Sequence, residues 1–184
     1  MSIFRGFIAI EIQATPQILA FEKEIERTGA DVKLVEPENI HITVKFLGDT
    51  DEHHIDEIER IMKESVQDMK PFSLILKATG VFPNQQYVKV VWVGLIDNGT
   101  IGTIAQNIDE KLAPLGFKRE HRGFSPHLTI GRVKTARNKD QLLKAIGNHA
   151  SEEFAIQEVH SITLKKSELT PKGPIYTTLR EVIL

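Results

Sequence analysis

Two tetrapeptides, His41-Ile42-Thr43-Val44 and His127-Leu128-Thr129-Ile130, share the order histidine, apolar, threonine, apolar. Both lie in sequence of strand character, and residues two apart on a strand project from one face. Each segment would therefore show an imidazole and a hydroxyl side by side, roughly 6–7 Å apart along the strand. The apolar neighbours would turn the other way, into a core. Two such surfaces across one cavity would supply two proton-transfer groups and two hydroxyl donors, parts suited to chemistry on a phosphodiester. With seven histidines and 41% apolar residues in 184 positions, only about 0.1 such tetrapeptide is expected by chance, so the pair is informative where one copy would not be.

The elements that must position these residues follow from periodicity and punctuation. Ile3 to Ile12 is apolar and β-prone, a first strand. Thr15-Pro16 is an N-cap followed by proline at the first helical position, and Ile18, Leu19, Phe21 and Ile25 keep helical spacing until Gly29. Lys33 to Val35 is a short extended piece before Pro37. Ile40 to Leu47 is the strand carrying the first motif, closed by Gly48-Asp49. An amphipathic helix follows over Asp51 to Met69. Phe72 to Phe82 and Tyr87 to Leu95 are strands joined by a four-residue loop, and Ile101 to Leu115 is a third helix. His127 to Val133 is the second motif strand, and Asn138 to Asn148 a fourth helix. Phe154 to Leu164 and Ile175 to Leu184 complete the chain as strands around Pro171-Lys172-Gly173-Pro174. Each motif strand precedes a helix and a strand, so the chain reads as two related α/β halves within a single unit, residues 1–184. The hairpins point to antiparallel or mixed sheets.

Composition narrows the function classes. No apolar run approaches the ~20 residues that span a bilayer, and Met1 to Arg5 lacks the features of a secretory leader. The chain has no cysteine, hence no disulfide, thiolate nucleophile or Cys-ligated metal. A cytoplasmic enzyme or binding protein fits. A net charge of −2 argues against a general nucleic-acid coat. Charge is nevertheless concentrated: Lys118, Arg119, Arg122, Arg132, Lys134 and Arg137 face a single acid, Glu120, around the second motif. A short polyanionic ligand there, or a merely solvated basic face, would explain it. Neither a Gly-x-Gly-x-x-Gly nor a Walker-type loop is present. Asp51-Glu52-His53-His54 opens a helix and reads as surface complementing the helix dipole rather than as a metal site. His121 lies in the basic loop, while His149 and His160 look incidental. Phe82, Tyr87 and Phe124 could stack on a base, although packing explains each as well.

With Phe46-Leu47-Gly48 after the first motif and Ser125-Pro126 before the second, the chain resembles the 2H phosphoesterase superfamily, and within it the RNA 2′,3′-cyclic phosphodiesterases, also called 2′-5′ RNA ligases. Arg5-Gly6-Phe7-Ile8-Ala9-Ile10, Pro126 to Arg132, and Ser167-Glu168-Leu169-Thr170-Pro171 with Gly173-Pro174 and Tyr176 carry the likeness over essentially the whole length. The resemblance implies an α+β, bilobal fold: two antiparallel-rich sheets lining a central cleft, helices outside, one motif from each lobe. It also implies metal-free, cofactor-free opening of a 2′,3′-cyclic phosphate at RNA 3′ ends, tRNA fragments among them, to a 2′-phosphate by a monomeric enzyme. It assigns His41 as proton donor and His127 as proton acceptor, roles the residues themselves do not separate. Thr43 and Thr129 would hold the non-bridging oxygens. Arg132 lies three residues past Thr129, which on a straight strand points it away from the cleft; a bulge or strand end at Gly131 would redirect it to phosphate, and otherwise it is a surface or sheet-packing arginine. If a 5′-hydroxyl replaced water, the same site would form a 2′-5′ linkage, but water's concentration favours hydrolysis. The rival readings are a related enzyme acting on 2′-5′ oligoadenylate or an ADP-ribose cyclic phosphate, and an RNA-end binding protein. A metallohydrolase is a weaker third, because the pattern lacks carboxylates.

Overall fold

The structure, a computed structural model, describes residues 2–121 and 123–184. Met1 and Arg122, the latter counted above in the basic segment, lie outside the described residues. The elements run β1 (Ile3–Glu11), α1 (Pro16–Arg27), β2 (Val32–Leu34), β3 (His41–Asp51), α2 (Ile55–Val66), β4 (Phe72–Pro83), β5 (Val88–Ile96), α3 (Thr100–Leu112), β6 (Leu128–Val133), α4 (Lys139–Gly147), β7 (Glu153–Val159), β8 (Ser161–Thr170) and β9 (Gly173–Ile183). Local chemistry sets several boundaries. The Thr15 hydroxyl accepts from the Ile18 N–H at the start of α1, with Pro16 beside it. Asp51 caps a 3₁₀ turn over Glu52–His54 that leads into α2, accepting from the His53 N–H at 3.1 Å.

The strands lie in the order β7-β4-β5-β6-β3-β1-β8-β9, all antiparallel, with β2 also on β6. The two sheets expected on either side of a cleft are two four-stranded groups of one continuous nine-stranded sheet, meeting along one seam. That seam is narrow. β3 pairs with β6 only at Ile42 opposite Leu128, and β2 takes over the same edge of β6 from Gly131 to Val133. The surface opens where β3 parts from β6. Helices α2 and α3 cover the group containing β3 and β9, and α1 and α4 cover the other. Beneath them Ile8, Ile42, Ile58, Leu74, Ile104, Leu128 and Leu164 are fully buried. No helix among the described residues is long and apolar enough to cross a membrane.

One expectation fails in an instructive way. Phe154 to Leu164 is two strands, not one: β7 pairs with β4, β8 pairs with β1, and the chain passes between the groups at His160. Neither glycine nor proline marks the break. The two sheet groups are therefore interleaved along the chain, since β8 and β9 return to β1.

Candidate active site

The seam builds the site. Ile42 and Leu128 face the core together, both fully buried. Period-two alternation then sends His41, Thr43, His127 and Thr129 to the opposite, open face. Antiparallel register about the Ile42–Leu128 pair sets His41 across from Thr129, and Thr43 across from His127. The four residues expected from the sequence are thus brought together, related by an approximate two-fold through one residue pair.

Both imidazoles are held alike. His41 Nδ1 lies 2.7 Å from the Asn39 carbonyl oxygen, and His127 Nδ1 2.9 Å from that of Ser125, in each case two residues upstream. A carbonyl only accepts, so Nδ1 carries the hydrogen in both rings and Nε2 is the working nitrogen, a base when neutral and an acid when protonated. The Thr43 hydroxyl donates to His41 Nε2 at 3.0 Å. Each ring also rests on a phenylalanine: Phe7 with a centroid separation of 5.1 Å from His41, and Phe82 with 4.9 Å from His127. Phe82, a candidate for base stacking, instead supports a histidine. Phe124 packs against the core, and Tyr87 lies under Lys89 on the β4–β5 hairpin.

The surroundings of His41 bear on its proton affinity. Burial lowers the His41 pKa below its ordinary 6.5; the Asn39 carbonyl bond opposes this, and the charges of Lys165 and Arg132 add to it. Lys165 is itself buried, bonded to the Glu11 carboxylate and at 3.0 Å to the Thr178 hydroxyl. Glu11 stands across from His41 in the β1–β3 ladder.

Arg132 answers the parity problem. On β5, Trp92 pairs with Thr129 and Val90 with Arg132, so two residues of β5 span three of β6. This is a bulge at Ile130-Gly131, and it turns Arg132 onto the face of Thr129. A Cβ on Gly131 would meet Val32 Cγ1 at 2.7 Å, so glycine is what lets β2 approach here. β3 is bulged at the matching place. Ala9 pairs with Thr43 and Phe7 with Phe46, which turns Phe46 onto the site face three residues past Thr43. Phe46 and Arg132 are equivalent positions in the two motifs, and Phe46 is 68% exposed.

Sequence reasoning overlooked Phe46 as a site residue, although the three-residue interval that prompted the question about Arg132 also separates Thr43 from Phe46. It also gave no role to Asn39, whose carbonyl orients His41 while its amide donates to the Pro174 carbonyl at 3.2 Å. That bond draws in the β8–β9 hairpin, which sets Tyr176 edge-on to His41 at 5.4 Å. Burial pushes the Tyr176 phenol above its ordinary value, against the charges of Arg132 and Arg5. The basic loop is tied down from below. The buried Lys45 ammonium donates to Asp109 of α3 at 2.5 Å and to the Lys118 carbonyl at 2.6 Å, and Asp109 also accepts from Arg119 and the Glu120 N–H. His53 and Asp51 form a helix start, as expected, with Nδ1 2.7 Å from the carboxylate. His149 is not incidental: it lies between the carboxylates of Glu24 and Glu152, joining α1 to the segment after α4.

A family model described as the 2′-5′ RNA ligase superfamily matches residues 5–168. A protein of Methanocaldococcus jannaschii named RNA 2′,3′-cyclic phosphodiesterase is 44% identical over 179 residues, 96% of this chain and 99% of its own. One of the same name from Methanothermobacter thermautotrophicus is 37% identical, covering 95% and 96% of the two chains. Among solved structures, TT0787 of Thermus thermophilus superimposes with a TM-score of 0.81 at 24% identity, over 98% of this chain and 97% of that one. Escherichia coli LigT complexed with 3′-AMP gives 0.69 at 21% identity, over 100% and 99%. At these identities the structural matches concern the fold.

Proposed function

The chain belongs to the 2′-5′ RNA ligase superfamily, and we propose that it hydrolyses 2′,3′-cyclic phosphates at RNA 3′ ends to 2′-phosphates with its two histidines as acid and base. Relatives at 37–44% identity carry the name RNA 2′,3′-cyclic phosphodiesterase, and the site chemistry agrees with that activity. The observation that carries the reading is the pair of equivalent imidazoles, each with Nδ1 anchored on a carbonyl and Nε2 left as the proton-exchanging nitrogen.

In this mechanism His127 Nε2 takes a proton from water as its oxygen attacks phosphorus. The bond to the 3′-oxygen breaks, and protonated His41 Nε2 delivers a proton to the departing oxygen. The products are a 2′-phosphate and a 3′-hydroxyl, and the histidines exchange protons with solvent to reset. Thr43 and Thr129 donate to the non-bridging oxygens, Thr43 by turning its hydroxyl from His41, and Arg132 adds charge on the same face. A bound phosphate anion offsets the Lys165 and Arg132 charges that lower the His41 pKa, so substrate binding favours the protonated donor. Phe46, exposed on the same face one rung past Thr43, is the stacking surface for the terminal base. The whole chain, residues 1–184, acts as one bilobal unit and as a monomer in the cytoplasm, on RNA ends such as cleaved tRNA fragments. Ligation by a 5′-hydroxyl uses the same groups and stays minor beside hydrolysis.

The test is a short RNA ending in a 2′,3′-cyclic phosphate, incubated with chelator present and the product's phosphate mapped. Conversion to the 2′-phosphate, reduced by about 10²–10⁴-fold in His41→Ala and in His127→Ala, supports the mechanism. Tight binding without product would make the chain an RNA-end binder, and inhibition by chelator would revive metal chemistry.

A further inference from the structure

Three exposed apolar side chains, Ile3 (58%), Phe46 (68%) and Leu169 (74%), lie on the site face of the group formed by β3, β1, β8 and β9. Their order on the sheet is what matters. Phe46 shares a rung with Phe7, which rests on His41. The next rung holds Arg5, flanked by Ser167 and then Tyr176 on one side and by Asp49 on the other. One rung further, continuing the β1–β8 register past Arg5 and Ser167 sets Ile3 beside Leu169, with Pro174 across from Leu169. Rungs of one face are about 6–7 Å apart, a spacing commensurate with one extended nucleotide.

We propose that this succession continues outward from Phe46, under the terminal base, through Arg5 to Ile3 and Leu169 as a track for the nucleotides immediately upstream of the cyclic-phosphate end of single-stranded RNA. The inference rests on the phosphodiesterase reading above. The track is continuous with the catalytic face, because Phe7 and Tyr176 each touch the His41 ring. Its one cation is placed between the apolar surfaces, as a strand of alternating phosphates and bases requires. Arg5 is exposed and forms no ion pair among the described residues, and its charge reaches Tyr176. Asp49 repels phosphate from the β3 side, so the backbone would pass over Ser167 and Tyr176 and the bases would lie on the apolar side chains. Asp51, opposite Ile3, is occupied by His53 at the start of α2. The outer positions are aliphatic, so they offer a base area without hydrogen-bond readout, and the track selects chain length rather than sequence.

The experiment compares kcat/KM for a mononucleotide 2′,3′-cyclic phosphate with that for a trinucleotide bearing the same end. The native chain is expected to favour the trinucleotide by about tenfold or more. In the Ile3→Ser, Leu169→Ser double variant that ratio falls several-fold. Arg5→Gln lowers it too and reduces the salt dependence of trinucleotide binding by about one phosphate contact, a log–log slope of about 0.7. All three side chains are exposed, so the variants fold. Equal kcat/KM for the two substrates in the native chain, or a ratio the variants leave untouched, would overturn the track. So would a native dimer that the double variant dissolves, because the patch would then join two copies. Turnover of neither substrate would sink the phosphodiesterase reading, and the track with it.

Discussion

At the scale of single residues, the histidines differ in what surrounds Nε2. His41 is half-buried, and this desolvation together with the charges of Lys165 and Arg132 holds its folded pKa below the ordinary 6.5. In an imidazole NMR titration of the free protein its midpoint should fall below that value. Lys165→Met removes one positive charge and releases Glu11, and both changes favour imidazolium, so the midpoint should move up. The same titration tests the assigned roles. If His41 is the acid, kcat/KM falls as pH rises through its midpoint, and in Lys165→Met this falling limb moves to higher pH. A rate that rises through the His41 midpoint would make it the base and reverse the assignment.

At the scale of elements, the two motif strands are tied together by little main-chain hydrogen bonding, because β3 and β6 pair at one position. The Lys45–Asp109 pair supplies a second tie. Lys45 lies two residues past Thr43 on β3, and through Asp109 and the Lys118 carbonyl it fastens the loop that leads to His127. Burial works against ionisation of Asp109, yet its bonds to Lys45, the Glu120 N–H and Arg119 hold its pKa below the usual carboxylate value. Lys45→Met should cost about 3–5 kcal/mol in urea unfolding by leaving a buried charge short of its partner. It should also speed amide exchange over residues 117–121, the stretch that Lys45 and Asp109 hold. The double variant Lys45→Met, Asp109→Leu should recover much of the stability while the loop stays loose. Unchanged exchange in both would show that the pair serves packing alone.

At the scale of the whole molecule, one buried acid sets a pH dependence unrelated to catalysis. Glu22 sits on the inner side of α1 among Ile18, Phe21 and Ile25, and its Oε1 is buried with no partner among the described residues. Burial, with Glu26 and Glu36 nearby, raises its pKa from 4.5 to about 7. The folded state therefore holds a proton that the unfolded chain releases above about pH 4.5. Stability is full below that pH and is lost as pH rises through about 7. Glu22→Gln, which keeps the shape without the charge, should match the native chain near pH 5 and melt higher at pH 8. Equal melting temperatures at pH 8 would mean that Glu22 reaches solvent. His149, raised in pKa against its own burial by Glu152 and Glu24, acts in the same direction: its clamp is full below pH 6.5 and fades as pH rises through the higher folded value.

Much of this protein is legible in its sequence. Short-range rules govern the helices, whose caps at Thr15 and Asp51 and apolar spacing are local. They also govern the two motifs, because period-two alternation alone puts His and Thr on one face with Ile42 or Leu128 behind. What local rules could not decide depends on strand partners. The break at His160 has no turn chemistry; it exists because β7 and β8 find partners in different sheet groups. Arg132 and Phe46 point into the site only because β6 and β3 each carry an extra residue against their neighbours. A bulge is a property of a pair of strands, which one strand's sequence does not contain. Lys45 and Asp109 are 64 positions apart, and only the packing of α3 on β3 makes them one buried pair. Sequence determined which groups could do the chemistry; tertiary structure decided which faces they share.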